Sequence, residues 1–401
     1  MIMETIKKAN QKSNNKSNYK SNKIAAFLKK EPMLTVSLLA ALVSLWITPP
    51  DASLLGRIDW HTLGTLFMML TVLEGFKQEN IFRPLILLSS RFSTMAALSL
   101  FLVFGVFCTS MFVTNDVSLI IFVPLTILLF RNGGKEHYIL PVISMENIAA
   151  IRGSLLMPFG SPQNLFLYSQ SGTSAGNFIK HMSPLCIGSG ILLVIFIFTL
   201  YRKDVKEKIE LDGAQAAGEW APDKKVRRIA YISLFVMILL TIVTRTKYWP
   251  AAVVIVIVTV LAVHHGLFRQ VDYVLLLTFL CFFVFSSSIA ANPGISGWLQ
   301  KAVAGHEYWW AIGLSQIISN VPASIVLYPF TENFAGLIYG ADTAGLCSLI
   351  GSLASVINYR IYVREYPENG KKFIKTFTLI SWAFFVIVVI PGYFLSKWKF
   401  F

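Results

Sequence analysis

Residues 93–130 form an apolar run of 38 residues, interrupted once by the polar triplet Thr114-Asn115-Asp116. A helix that crosses a membrane needs about 20 apolar residues at 1.5 Å per residue. The run is too long for one crossing and too short for two joined by a turn. Residues 307–333 pose the same problem with 27 residues, interrupted at Ser319-Asn320-Val321. Backbone in lipid must satisfy its hydrogen bonds internally, so a polar break at mid-depth is tolerated only where it is buried or lines a cavity. The simplest solution is a re-entrant hairpin, which enters from one side, turns at mid-depth and leaves on the same side. The 14 residues after the first triplet would reach roughly 21 Å as a helix, short of a ~30 Å hydrocarbon core.

Nine further apolar segments read as spans: 33–48, 60–76, 138–170 with an interruption, 177–200, 229–244, 248–264, 271–290, 343–358 and 374–396. Only 14% of residues are charged, against about 25% in a soluble protein. That leaves too few polar groups for a water-facing surface and excludes a soluble enzyme, a disordered chain and a secreted disulfide scaffold. The four cysteines are far apart in or beside apolar runs and read as small packed side chains. Residues 1–30 carry a polar repeat, Lys-Ser-Asn every four residues from Lys12, and are expected to be a disordered basic cytoplasmic tail.

The formal charge of +14 reads as orientation. With the N-terminus inside and both hairpins returning to their own side, inner segments hold 27 Lys and Arg, outer segments 7, and Arg152 lies within a span. Such asymmetry is the positive-inside rule, reinforced by attraction to anionic lipid headgroups; no nucleic acid is needed to explain it. It places the N-terminus in the cytoplasm and the C-terminus outside the cell membrane. A true crossing at the second hairpin would move the five positives of 359–375 to the outside.

The two halves are alike. Asn115 precedes Pro124 by nine residues, and Asn320 precedes Pro329 by nine. Each hairpin is followed by an interrupted span containing Gly-Ser-Leu, at Gly153-Ser154-Leu155 and Gly351-Ser352-Leu353. The expected fold is an all-α polytopic membrane protein of two inverted-topology repeats, each with a re-entrant helical hairpin and a broken transmembrane helix. The first repeat covers 31–200, with its hairpin near 93–130. A charged cytoplasmic linker at 201–228 and a connecting helix at 229–247 lead to the second repeat at 248–401, with its hairpin near 307–333.

Each hairpin tip would aim a helix N-terminus at the midplane. One helix is expected to start near Val117, the other with Pro322 as a favoured first residue. Two such positive ends facing each other suit an anion, with carbonyls and Asn oxygens left for Na⁺. The plainer reading is two N-caps and two loops. The stretch Pro158-Phe159-Gly160-Ser161-Pro162-Gln163-Asn164 cannot continue a helix. It would bring Pro162 and Asn164 to the substrate. Among the few deep ionisable groups, Glu74, Asp116, Glu146 and Arg152, the arginine has three readings. It could pair with an anionic substrate, act as a tethered cation at an ion site, or form a structural pair with Asp116 or Glu146.

These motifs resemble the ion transporter superfamily of secondary carriers, which includes divalent-anion:sodium symporters, citrate carriers, arsenite permeases and sodium/proton antiporters. The resemblance covers most of 33–396 and rests on Thr114-Asn115-Asp116-Val117-Ser118 through Pro124, Gly160-Ser161-Pro162-Gln163-Asn164, and Ser319-Asn320-Val321-Pro322 through Pro329. In the dicarboxylate branch, Ser-Asn-Thr tips bind carboxylates and flank sodium sites. Here both tips lack the third-position Thr, and the Asn115-Asp116 pair looks more like the arsenite permease pattern. The resemblance implies that Asn115, Asp116, Ser319, Asn320, Val321, Pro162 and Asn164 hold substrate. It implies that Thr114, Asn115, Asp116, Arg152, Gly153, Ser154, Asn320, Gly351 and Ser352 serve ion binding or coupling. Some relatives are dimers, so a homodimer is a further expectation.

The expected function is Na⁺- or H⁺-coupled secondary transport of small anions, carboxylates such as citrate or dicarboxylates, by alternating access. No cofactor, and no metal beyond Na⁺, is called for. The alternative is a proton-coupled arsenite-type efflux permease or a cation/proton antiporter with Asp116 as proton carrier; a channel is a further alternative. An intramembrane enzyme rests only on Gly172-Thr173-Ser174-Ala175-Gly176, a G-x-S-x-G match without the strand context that motif needs.

Overall fold

In the computed structural model, residues 31–51, 53–89, 91–203, 205–209 and 225–398 are described; the tail expected at 1–30 and most of the linker at 201–228 lie outside them. The fold is all-helical. The principal helices are α1 (Pro32–Ile47), α2 (Trp60–Gln78), α3 (Met95–Val113), α4 (Asn115–Asn132), α5 (Ile139–Ser154), α6 (Pro162–Ser171), α7 (Ala175–Leu200) and α8 (Lys225–Thr244). They continue as α9 (Trp249–His264), α10 (Tyr273–Ala291), α11 (Glu307–Ile318), α12 (Asn320–Leu327), α13 (Phe334–Ala344), α14 (Leu353–Glu365) and α15 (Gly370–Ser396). Among the described residues seven helices are long and apolar enough to cross a membrane. Their outward faces are apolar, with Val254, Val258 and Leu261 on α9 and Leu379, Val386 and Ile390 on α15 exposed. A water-facing surface would not carry such rows; a lipid-facing one does.

Two helical hairpins are present. In the first, the Thr109 hydroxyl donates to Ser118 Oγ across 3.0 Å. A Cβ on Gly105 would sit 2.5 Å from the Phe122 ring. Both pairs are centred on the tip, so α4 folds back along α3, and Gly105 makes room for Phe122. In the second, Thr331 Oγ1 donates to Glu307 Oε1 over 3.0 Å, a pair centred on Ser319. The arm after the first tip is 18 residues, not the expected 14, because α4 starts at Asn115 and runs to Asn132. At roughly 27 Å it reaches nearly the full hydrocarbon thickness. Likewise α12 starts at Asn320, so Pro322 is its third residue rather than its first.

The same order of elements recurs in both halves, and the packing recurs with the halves exchanged. Helix α1 packs on α10, and α9 on α2; α3 packs on α5, and α11 on α13; α4 packs on α14, and α12 on α6. The second broken span covers α13 and α14, so it begins at Phe334 rather than 343, and its break is 345–352. This corrects the expected alignment of the halves. A Cβ on Gly160 would collide with the carbonyl of Ser154, the last residue of α5; a Cβ on Gly351 would collide with that of Ala344, the last residue of α13. Gly351-Ser352-Leu353 therefore corresponds to Gly160-Ser161-Pro162, and not to the identical tripeptide at Gly153.

Gly153 serves helix packing instead. A Cβ there would strike the Phe107 carbonyl, so the glycine lets α5 lie close on α3. The Gly336-x-x-x-Gly340 pair lies in α13, where a Cβ on Gly340 would come 2.5 Å from the Tyr308 carbonyl oxygen of α11. The linker residue Glu207 accepts from Lys135 Nζ at 2.6 Å and from the Tyr138 hydroxyl at 2.9 Å. The Lys135 bond holds its carboxyl below the usual range.

Gly153→Ala is expected to lower the thermal unfolding midpoint in detergent, through an overpacking cost of about 1–3 kcal/mol. Gly188→Ala, where nothing lies within 4 Å of the new Cβ, is expected to leave it unchanged or slightly raised.

Candidate functional site

Both hairpin tips turn on a residue in a conformation that L-amino acids avoid. Thr114 has φ 74° and ψ 154°, and Ser319 has φ 70° and ψ 159°. That region belongs essentially to glycine, and holding another residue there costs about 1–3 kcal/mol. Among the described residues only Asn80 and Arg245 are other non-glycine residues with positive φ. Neither tip side chain caps the helix that follows it. The capping reading of the triplets is therefore set aside. Asn115 Oδ1 instead accepts from the Asp116 amide at 2.9 Å, and the Asn320 amide donates to the Gly351 carbonyl at 3.1 Å.

The tips meet at a cavity of about 20 Å³, room for one water-sized group. Its walls are Asn115, Asp116, Pro162 and Gln163 from the first half and Asn320, Val321, Ser352 and Leu353 from the second, with Leu275 and Phe279 of α10. Asn115, Pro162, Asn320 and Leu353 are the first residues of α4, α6, α12 and α14. Four helix N-termini thus converge on one point. Each carries free N–H groups and roughly half a positive charge. Asp116 Oδ1, Gln163 Oε1 and Asn320 Nδ2 are buried there without a hydrogen-bond partner. A buried polar atom left unpaired costs about 1–3 kcal/mol, so three at one cavity make it the candidate binding site.

Of the residues expected at the substrate, Asn115, Asp116, Asn320, Val321 and Pro162 line the cavity, and Ser319 forms a tip. Asn164 stands behind it. Its amide nitrogen donates to the carbonyls of Ser154 at 3.0 Å and Leu155 at 3.4 Å, tying the frayed end of α5 to the start of α6. Of the residues expected at an ion, Ser352 lines the cavity, Thr114 forms a tip and Gly351 supplies a carbonyl to Asn320. Gly153 and Ser154 face the packing of α5; the Ser154 hydroxyl donates to Ile151. Gln163 and Leu353 are not among the expected site residues, although each lies in a motif that the sequence singles out, Gly160-Ser161-Pro162-Gln163-Asn164 and Gly351-Ser352-Leu353.

Arg152 does not line the cavity. It is buried and forms an ion pair with Asp342, with a further bond to Thr343 Oγ1 at 3.3 Å. Asp342 is not among the expected deep charges, because the second broken span begins nine residues earlier than its apolar pattern suggests. The expected pairing of Arg152 with Asp116 or Glu146 falls away: Glu146 accepts from the Thr126 hydroxyl instead. Arg152 and Asp342 each stand two residues before the end of the first part of a broken span. They are equivalent positions in the two halves, paired with each other. The G-x-S-x-G match is a helix connection, with Gly172 left-handed after α6 and Ser174 capping α7.

A multi-helix membrane fold with two hairpins, two broken helices and a polar cavity where their ends meet defines a membrane transporter rather than an enzyme. The citrate transporter family model matches residues 24–337, and the chain belongs to that family. It is 30% identical over 344 residues to the inner membrane protein YbiR of Escherichia coli K12, covering 84% of this chain and 88% of YbiR. It is 29% identical over 349 residues to the uncharacterized transporter MJ0456 of Methanocaldococcus jannaschii, covering 85% and 91%. Among solved structures, the YdaH transporter of Alcanivorax borkumensis shares the fold with a TM-score of 0.52 at 15% identity, covering 91% of this chain and 96% of that one.

Removing one member of a buried ion pair strands the other. Arg152→Ala is expected to destabilise the protein by about 3–5 kcal/mol, and Arg152→Met with Asp342→Leu to recover most of that. Ser319→Gly, which releases the tip strain at the expense of chain entropy, is expected to stabilise by about 1 kcal/mol. Unfolding in a detergent series reads out both.

Proposed function

We propose that the chain is an ion-coupled secondary active transporter of small anions, carboxylates such as citrate or dicarboxylates, working by alternating access. The observation that carries this reading is the convergence of four helix N-termini on one cavity. Such ends bind carboxylates and phosphates, and here their summed field has no basic side chain lining the cavity to assist it. Asp116 gives the ion its role. A carboxylate beside an anionic substrate repels it unless a proton or Na⁺ neutralises the pair, so substrate and cation enter together. At about 20 Å³ the cavity is too small for citrate, so the four helix starts must part to load it. The exchanged packing of the halves supports inverted repeats that rock against each other, with the tips meeting inside the protein. The basic tail supports a cytoplasmic N-terminus, and the odd-numbered crossing count expected with two returning hairpins supports a C-terminus outside.

One observation favours a second reading. The buried, unpartnered Asp116 Oδ1 also suits a proton carrier in an arsenite-type efflux permease or a cation/proton antiporter. Such a carrier would respond to a pH gradient and ignore sodium.

Asn115→Ala and Asn320→Ala are each expected to cut citrate uptake into proteoliposomes at least about a hundredfold, the loss of roughly 2.7 kcal/mol of binding, while the protein stays monodisperse. Uptake that survives both changes removes the assignment. Transport driven by a pH gradient alone and lost in Asp116→Asn selects the second reading.

A further inference from the structure

We infer that Glu146, Asn147 and Asn358 form a binding site for a desolvated sodium ion, separate from the cavity between the hairpin tips. All three residues are fully buried. Three of their oxygens, Glu146 Oε2, Asn147 Oδ1 and Asn358 Oδ1, have no hydrogen-bond partner. The amide orientations are set by their surroundings. Asn358 Nδ2 donates to the Ile143 carbonyl at 2.7 Å, and a carbonyl can only accept. Asn147 Nδ2 donates to Ser355 Oγ at 3.0 Å, while the Ser355 hydroxyl is committed to the Gly345 carbonyl at 3.4 Å. The oxygen of each amide is therefore the end left over.

The three residues stand at one level of the contact between α5 and α14. Ile143, Glu146 and Asn147 stand three and four residues apart on α5, within about one helical turn. Ser355 and Asn358 are one turn of α14, held against that same stretch by the bonds above. With Glu146 ionised the group has three acceptors and no donor, and these cannot satisfy one another. A cation satisfies all of them. Among the described residues no Lys, Arg or His pairs with Glu146, so its carboxylate form would have only the bound ion to compensate it. A single positive charge neutralises it; a divalent ion would leave a net charge in lipid-depth protein, which is costly. Hard oxygen donors with one carboxylate suit Na⁺.

The site is wired to the tip cavity. Asn147 reaches Ser355, Ser355 reaches the Gly345 carbonyl at the start of the second break, and the Ser355 amide donates to the Ser352 carbonyl at 3.1 Å. Ser352 lines the cavity. Ion binding between α5 and α14 would thus hold the second break in the position that closes the tip cavity. This deepens the carrier reading by locating a coupling ion, and its test needs no transport.

The test is thermal unfolding of purified full-length protein at fixed pH while NaCl replaces choline chloride, with KCl in parallel. Na⁺ is expected to raise the midpoint and K⁺ to do so far less. Glu146→Gln is expected to abolish the response. Asn358→Ala is expected to raise the half-saturating Na⁺ about tenfold or more, as loss of a ligand does, and Asn358→Asp, which keeps an oxygen there, to retain the response. The Asn358 pair decides the matter if Glu146→Gln fails to fold. Asn115→Ala, at the hairpin tip, is expected to keep the Na⁺ response and lose stabilisation by citrate. A midpoint that ignores Na⁺, that follows pH alone, or whose Na⁺ response survives Asn358→Ala overturns the site. Loss of citrate stabilisation in the unaltered protein, with the Na⁺ response intact, counts against the substrate reading alone.

Discussion

Four helices of this protein begin in its interior, and the rest of the structure is arranged around satisfying or exploiting their first N–H groups. A helix start in water is solvated at no cost; at membrane depth it must be capped, packed or given a ligand. Here α6 is capped by the Ser161 hydroxyl, and the Asn320 amide at the start of α12 is given the Gly351 carbonyl. At the starts of α4 and α14 no side chain caps the helix. Strained Thr114 and Ser319 aim two of the four ends, and the breaks aim the other two. The strain and the unpaired atoms are a stability cost set at one place, the usual mark of a functional site.

The halves hold each other through their broken spans. Arg152 and Asp342 occupy equivalent positions and pair across the interface between the halves. Neither faces the cavity. Their charges offset one another where an unpaired one would be prohibitive, and they leave the cavity's electrostatics to helix ends and Asp116. Second hairpin arms pack on the second part of the other half's broken span, α4 on α14 and α12 on α6. Each side of the site is therefore built from both halves, which any rocking motion would open as a unit.

Much of this was legible in the sequence. The two polar triplets marked the tips because an apolar run of the wrong length needs an irregular break. The Gly160-Ser161-Pro162 stretch marked the first break because proline and glycine cannot continue a helix. What misled was composition without register. Two identical Gly-Ser-Leu tripeptides invited an alignment, yet Gly351 matches Gly160, since each must clear the carbonyl that ends the preceding helix. That slip of register hid Asp342, which falls just before the expected span at 343–358 but lies in α13. The second break lacks proline, so the helix start at Leu353 carried a weaker signal than the one at Pro162. The tip strain at Thr114 and Ser319 had no signature at all, because neither residue is one that favours positive φ.

The anion is proposed to sit where α4, α6, α12 and α14 begin. An experimental structure of the protein with citrate bound tests it most directly. Density is expected between Asn115 and Asn320, in contact with the backbone amides that start those four helices, in a cavity wider than the present one of about 20 Å³. Citrate bound instead in the polar pocket between Glu307, Glu332 and Lys397, with the tips unchanged, would contradict it.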